Sequence, residues 1–317
     1  MSRYIWAGLV VVGISLAGLN SMAAGQLKFA TGVKGSANYY LPLMAAEEKG
    51  FWKENSLQVE WIPFRGGGSM FRSVAAGAVK IGFTGTPSVV QAAARGVSAL
   101  AISELMTKVD FVVWVRADSA IRKPNDLKGA KIGVGRFGGT QHAYGRVVAR
   151  ALGLEKDITF ISAGSISAAL AGLKTGKIDA IVLSPRRPIK MLLQGVVRIL
   201  VPVANYLPRQ WSNHVVFARK DMVNENPATI QRVVKALLKA TSFIKKNPGW
   251  SMEKMKQVSG YSDKAAQLIY DGLEYSPDGK IDPKAMANVR KFLIDFGIIK
   301  RGKAPDVAAL YTDRFTR

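Results

Sequence analysis

Residues 38–69 read NYYLPLMAAEEKGFWKENSLQVEWIPFRGGGS, and three kinds of local order succeed one another along them. From Pro42 the apolar residues Leu43, Met44, Ala46, Phe51 and Trp52 keep helical spacing, and Gly50 sits where a helix stops. Leu57 to Ile62 then alternates apolar and polar at period two, which predicts a strand. That strand feeds Gly66-Gly67-Gly68-Ser69, and the small, apolar segment from Met70 to Ala78 predicts a second helix. The glycines therefore lie at a strand's carboxyl end and a helix's amino end. Open α/β sheets bind ligands at such places, because free backbone N–H groups and the helix dipole both face the crevice.

Working outward, Gln26 to Thr31 predicts a first strand, and Gly32 to Asn38 a loop whose polar tips, Asn38 and Tyr39 among them, face a cleft. Downstream, Val79 to Phe83 is a strand running into Thr84-Gly85-Thr86-Pro87, with Thr86 as the N-cap and Pro87 in the first turn of a helix to Arg95. Strands at Val97 to Ser103 and Phe111 to Val115 follow. Strand and helix alternating at this spacing mean a parallel sheet. The turn-forming stretch Ile121 to Gly129 breaks the composition.

The same logic then repeats. A strand at Lys131 to Val134 ends in the loop Gly135 to Gln141, a helix reaches Leu152, and a strand at Ile158 to Ser162 ends in Ala163-Gly164-Ser165. A small-residue helix then leads through Gly176 to a strand ending in Ser184-Pro185. Aligning Gly77 with Gly176 superposes helix, turn, strand and polar loop at an offset of 99 residues, with a slip of a few residues upstream, so an old duplication is the economical interpretation. Strand Val196 to Val201, loop Ala204 to Trp211 and apolar segment Ser212 to Ala218 bring the chain back. Two crossings make a hinge. Beyond Asn226 the pattern is helical, with Pro227 at a helix start and Ile230, Val233, Val234, Leu237 and Leu238 along one face.

The 317 residues, 48% hydrophobic, suffice for one large core or two ordinary ones, which excludes disordered and fibrous classes. Arg3, an apolar run of about fifteen residues and Ser21-Met22-Ala23 predict a secretory leader cleaved after Ala23 or Ala24; a spanning helix needs roughly 20 residues. With no cysteine there is no disulfide, thiolate metal site or lipidated cysteine. Lys and Arg number 45 against 22 Asp and Glu, a net charge of +23, and no acid occurs from Trp61 to Ser103, Leu127 to Leu154 or Ala180 to Lys220. These windows hold the loops at Gly68, Thr86, Thr140 and Ser184. They suit an anionic ligand, and equally a solvated basic surface. No nucleic-acid motif is present.

Gly133-Val-Gly135-Arg-Phe-Gly138 matches a dinucleotide fingerprint in form, but the next strand ends in Ile161-Ser162-Ala163 with no ribose-binding carboxylate after it. The loop keeps its anion-binding physics through Gly139 and Thr140. His142 and His214 have no carboxylates at metal-ligand spacing, and no serine sits in a nucleophile turn. Among aromatics beside the loops, Tyr39, Tyr40, Phe64, Phe137 and Trp211, the last two have polar and basic neighbours and form the expected ligand-facing pair.

Tyr39-Tyr40-Leu41-Pro42, Ala45-Ala46, Lys49-Gly50-Phe51, Leu57 to Glu60, Gly67-Gly68-Ser69, Thr84-Gly85-Thr86-Pro87 and KPNDLKGAKIGV at 123–134 resemble, in this order, the substrate-binding proteins of ABC importers. The branch is that for nitrate, taurine, other sulfonates and vitamin precursors. Two positions depart from it: Ser56 stands where the family usually has glycine, and Lys80 where it usually has aspartate.

The resemblance implies a type II periplasmic-binding-protein-like α/β fold, with a leader at 1–24, lobe one at 25–114 and 212–317, and lobe two at 115–211. It implies a monomeric periplasmic protein, without cofactor or chemistry, that hands a small, anionic molecule to a membrane permease. A vitamin-precursor or hydrolytic enzyme on the same scaffold, or a ligand-sensing subunit, remains open. The expected ligand-binding residues are Asn38, Tyr39, Gly68, Ser69, Thr84, Thr86, Phe137, Gly139, Thr140, Ser165, Ser184, Arg186 and Trp211, with Arg136 joining Arg186 in a forked contact.

Overall fold

Two five-stranded mixed sheets organise the computed structural model, which describes residues 26–32, 37–64, 66–135, 137 and 140–316, with backbone alone at Ala37 and Asn38. The expected leader lies outside the described residues. In chain order the strands are β1 (Leu27–Thr31), β2 (Val59–Pro63), β3 (Ile81–Gly85), β4 (Ala99–Met106), β5 (Val112–Arg116), β6 (Lys131–Val134), β7 (Thr159–Ser162), β8 (Ala180–Leu183), β9 (Val197–Pro202) and β10 (His214–Arg219). The helices among these residues are α1 (Ala37–Glu48), α2 (Phe51–Glu54), α3 (Gly67–Ala75), α4 (Thr86–Ala93), α5 (Thr140–Ala151), α6 (Ile166–Lys174), α7 (Ile189–Leu193), α8 (Lys220–Glu225), α9 (Pro227–Lys246), α10 (Pro248–Ser259), α11 (Asp263–Asp271) and α12 (Pro283–Asp295).

The first sheet runs β2-β1-β3-β10-β4 and the second β7-β6-β8-β5-β9. In each, three strands pair in parallel and the fourth in spatial order, β10 or β5, is antiparallel to both neighbours. Those two strands are delivered by the chain arriving from the other sheet. The crossings are therefore residues 107–111 and 203–213. Val112–Arg116 hydrogen-bonds to β8 and β9, so the boundary expected at Trp114 falls inside a strand of the second sheet.

Alternation along the central strands explains the layers. Val215 and Phe217 of β10 face α3, α4 and α12, while Val216 and Ala218 face α1 and α9. Val113 and Val115 of β5 face α5, and Val112 and Trp114 face α6. With both faces covered, these strands read as unbroken apolar runs. On one flank the two lobes share a core, where Tyr144 of α5, Trp211 of the second crossing and Phe292 of α12 meet ring to ring.

The offset of 99 residues holds in three dimensions. Helix α3 at 67–75 corresponds to α6 at 166–174, β3 and β8 begin at 81 and 180, and the turn glycines Gly77 and Gly176 have φ of 77° and 75°. Upstream the register slips, since β1 and β6 begin at 27 and 131.

Helix α1 begins at Ala37, ahead of the expected start, so Pro42 lies inside it and leaves the Asn38 carbonyl without its intrahelical N–H. Gly50, at φ 74°, does separate α1 from the short α2 that carries Phe51 and Trp52. At the end of α2, Ser56 N–H bonds Lys53 O and Leu57 N–H bonds Trp52 O, both at 2.9 Å, with Ser56 at φ 52°. This closing motif normally takes glycine, and it is where Ser56 replaces the glycine that the family resemblance leads one to expect. Lys80, the other departure, pairs with Asp221 at 3.1 Å.

The C-terminal segment finishes the first sheet: Ala101 N–H donates to Leu310 O, and Thr312 N–H donates back to Ala101 O, both at 2.9 Å, along the outer edge of β4. Beside the crossings, buried Glu104 accepts the Asn213 N–H at 3.2 Å, and Ser212, which also bonds Glu104, lies 2.9 Å from the Thr86 hydroxyl.

Two outcomes follow from these positions. Ser56→Gly should raise stability by about 0.5–1 kcal/mol, because the strain removed at positive φ exceeds the added entropy of the unfolded chain; a lower urea midpoint would count against this. Burial pushes the Glu104 carboxyl up to about 7, with Asp282 adding to the rise and the bonds from Ser212 and Asn213 opposing it. The native state then holds a proton that the unfolded chain releases near pH 4.5. Its stabilising effect is full below that pH and is lost as pH rises through about 7, on the order of 3 kcal/mol in all. Urea titrations at pH 5 and pH 8 should differ less for Glu104→Gln than for the native chain.

Candidate ligand-binding site

Parallel strands place their carboxyl ends on one edge of each sheet, and the two edges face each other across a cleft of about 820 Å³. Four helix starts reach it. Gly66 precedes α3, Gly85, Pro87 and Ser88 open α4, Thr140 and Gln141 open α5, and Ser165 and Ile166 open α6. Free N–H groups at helix starts and the positive ends of their dipoles favour negative charge there. Glycine is required where the first two approach, since a Cβ on Gly67 would lie 2.5 Å from the Ser88 hydroxyl.

Charge on the walls agrees with this. Arg186, Arg187 and Lys190 line the cleft, and among the described residues none of those lining it is an aspartate or glutamate. Directly behind the wall lies Asp110, in the first crossing. It accepts the Tyr39 hydroxyl at 2.9 Å and the Ser184 hydroxyl at 2.6 Å, joining α1 to the end of β8. Burial raises the Asp110 carboxyl above the usual range, against the pull of Ser184, Tyr39 and Arg186. The Arg186 guanidinium lies 4.9 Å from the centre of the Tyr39 ring, and His214 stacks on that ring at 4.4 Å. Burial, with Arg186 adding to it, pushes His214 down to about 3, so its imidazole is neutral at physiological pH. Its buried Nδ1 has no hydrogen-bond partner among the described residues.

Of the expected residues, Tyr39, Thr140, Ser165, Ser184 and Arg186 line this cleft. Others are placed differently. Gly68 and Ser69 belong to the first turn of α3, with the Ser69 hydroxyl turned back to Gly66 O at 3.0 Å, and Gly66 lines the cleft in their place. Thr86 is fully buried and bonded to Ser212, and α4 is capped by Gly85, because the helix starts one residue earlier than expected. Thr84 lies within β3, outside the lining. Trp211 packs edge-on to Phe292 at 5.3 Å in the shared core, its polar neighbours belonging to a crossing that wraps apolar ground. Phe137 is 59% exposed, sits against His142 and does not line the cleft. Gly139 and Arg136 lie outside the described residues, as does the Asn38 side chain.

Ser165 caps α6 by accepting Ala168 N–H at 3.1 Å, and Gln141 accepts Gly135 N–H at 2.9 Å. The backbone donor that a dinucleotide fingerprint would offer to pyrophosphate is thus taken by Gln141. Tyr40, Phe64, Phe111, Asn213, His214 and Tyr261 also line the cleft and were not among the expected contacts. Proximity to a quoted loop signalled Tyr40 and Phe64. Nothing local signalled Tyr261, whose hydroxyl reaches Arg186 O at 3.3 Å from the far end of the chain.

Two mixed sheets, each completed by a strand from the other side, and a cleft between helix starts define a two-lobed periplasmic-binding-protein-like fold of type II. The chain belongs to the NMT1/THI5-like family, whose model matches residues 37–250. It is 25% identical to the taurine-binding periplasmic protein of Escherichia coli K12 over 86% of this chain and 87% of that one. In structure it is similar to the periplasmic aliphatic sulphonate-binding protein SsuA of Escherichia coli, with a TM-score of 0.75 and 19% identity over 90% of this chain and 92% of that one. It is also similar to the alkanesulfonate-binding SsuA of Xanthomonas axonopodis pv. citri bound to MOPS, with a TM-score of 0.74 and 16% identity over 90% and 98% of the two chains.

If Asp110 anchors this wall, Asp110→Ala leaves the Tyr39 and Ser184 hydroxyls without their acceptor and should cost about 1–3 kcal/mol of stability, most of it recovered in Asp110→Asn. Equal urea midpoints for the native chain and the alanine variant would refute the anchoring role.

Proposed function

We propose that the protein is a periplasmic solute-binding protein which captures a small organic anion, a sulfonate or carboxylate, between its lobes and delivers it to the permease of an ABC importer. The observation that carries the ligand's charge is the wall itself, which among the described residues has four helix starts and three cationic side chains but no carboxylate. The names of the related taurine- and sulfonate-binding proteins support the same class. A guanidinium matches the geometry of an oxyanion, so Arg186 is the anchor we assign to the ligand's charged end.

Binding without chemistry fits the side chains. The Ser184 hydroxyl is committed to Asp110, His214 is held neutral against Tyr39, and His142 packs between Phe137 and Phe160. Contacts from both lobes to one ligand favour the closed arrangement by mass action.

A thermal-shift panel of sulfonates and carboxylates, each beside its neutral amide or ester, tests the reading. An anion at 100 times its dissociation constant should stabilise the fold by about 2.7 kcal/mol. Neutral partners that stabilise equally well would show that the basic windows are merely surface.

A further inference from the structure

The cleft has a second chemical character that charge does not explain. Four partly exposed rings, Tyr40, Phe64, Phe111 and Tyr261, line it from α1, the end of β2, the first crossing and the segment after α10. Buried Tyr39 and Tyr144 close the wall behind them. Phe64 and Phe111 have no polar atom to direct. The Tyr261 hydroxyl is turned to Arg186 O and the Tyr40 hydroxyl to the Gly32 backbone, so these two rings are oriented by protein partners at their tips. Side chains fixed in this way offer ring faces and edges to whatever enters.

Size points the same way. A cleft of about 820 Å³ falls within the range that accommodates drug-sized ligands, so a ring fits there beside a charged headgroup. Partly exposed rings converging from four separate segments form an apolar surface for which solvent is a poor partner, and aromatic groups prefer offset or edge-on ring contacts.

We infer that the ligand carries an aromatic ring, held among Tyr40, Phe64, Phe111 and Tyr261, with its anionic group directed to Arg186. This deepens the proposed anion-binding function and rests on it for the charged end alone.

Titration calorimetry with three probes separates the two claims. Benzenesulfonate and cyclohexanesulfonate share a headgroup and six carbons but differ in the π-system, and benzenesulfonamide keeps the ring without the charge. Benzenesulfonate should bind at least about tenfold more tightly than cyclohexanesulfonate, as expected of one or two good ring contacts. Phe64→Leu, which keeps most of the apolar volume, should weaken benzenesulfonate several-fold more than cyclohexanesulfonate and so narrow the ratio between them; an unchanged ratio counts against the ring contact. Equal affinities of the two sulfonates, or no heat from either at millimolar concentration, overturn the aromatic assignment. Benzenesulfonamide binding as tightly as benzenesulfonate, with both above the saturated ring, supports the ring assignment and overturns the anion reading.

Discussion

Neither sheet is complete without the other half of the chain. β10 lies between β3 and β4, and β5 between β8 and β9, each antiparallel to both neighbours and apolar on both faces. A strand in that position must satisfy hydrogen bonds on two edges and bury side chains on two faces, so its removal would open the middle of a sheet. Because each such strand arrives from the opposite lobe, the lobes are bound together by two short crossings. Those crossings also carry Asp110, which holds wall residues Tyr39 and Ser184, and Asn213, which lines the cleft, so the segments that join the lobes also support the cleft's wall.

The electrostatics depend on the same geometry. Parallel strands on both sides bring four helix starts to one space, and Arg186, Arg187 and Lys190 add to their field. Asp110, behind the wall, takes up the Tyr39 and Ser184 hydroxyls. His214 stays neutral beside Arg186 because burial and a like charge both oppose its protonation. The result is a positive cleft with an uncharged, aromatic floor.

Much of the architecture was legible in the sequence because it is periodic. Strand Lys131 to Val134 and the Gly77–Gly176 offset are set by local alternation and by turns that need positive φ. The site was legible only as loops at strand ends, and which side chain of a loop faces inward was not. Polar neighbours mark Trp211 and Phe137 as ligand-facing in the sequence, yet a crossing and a rim loop are polar wherever their rings point. Thr86 has the composition of a cap, and a one-residue shift in the helix start turned its hydroxyl to Ser212 instead. Asp110 stands between Val109 and Phe111 with no local pattern, and its partners are 71 and 74 residues away.

The backbone bonds between Ala101 and the segment at Leu310–Thr312 set an order of events during biosynthesis. The first sheet draws on residues near 27, near 100, near 214 and near 310, so its outer edge is finished only when almost the whole chain is available. Contacts so distant in sequence form slowly. As the chain grows from its N-terminus, β4 has no partner on either edge until β10 is made, and its outer edge stays open until residues 310–312 follow.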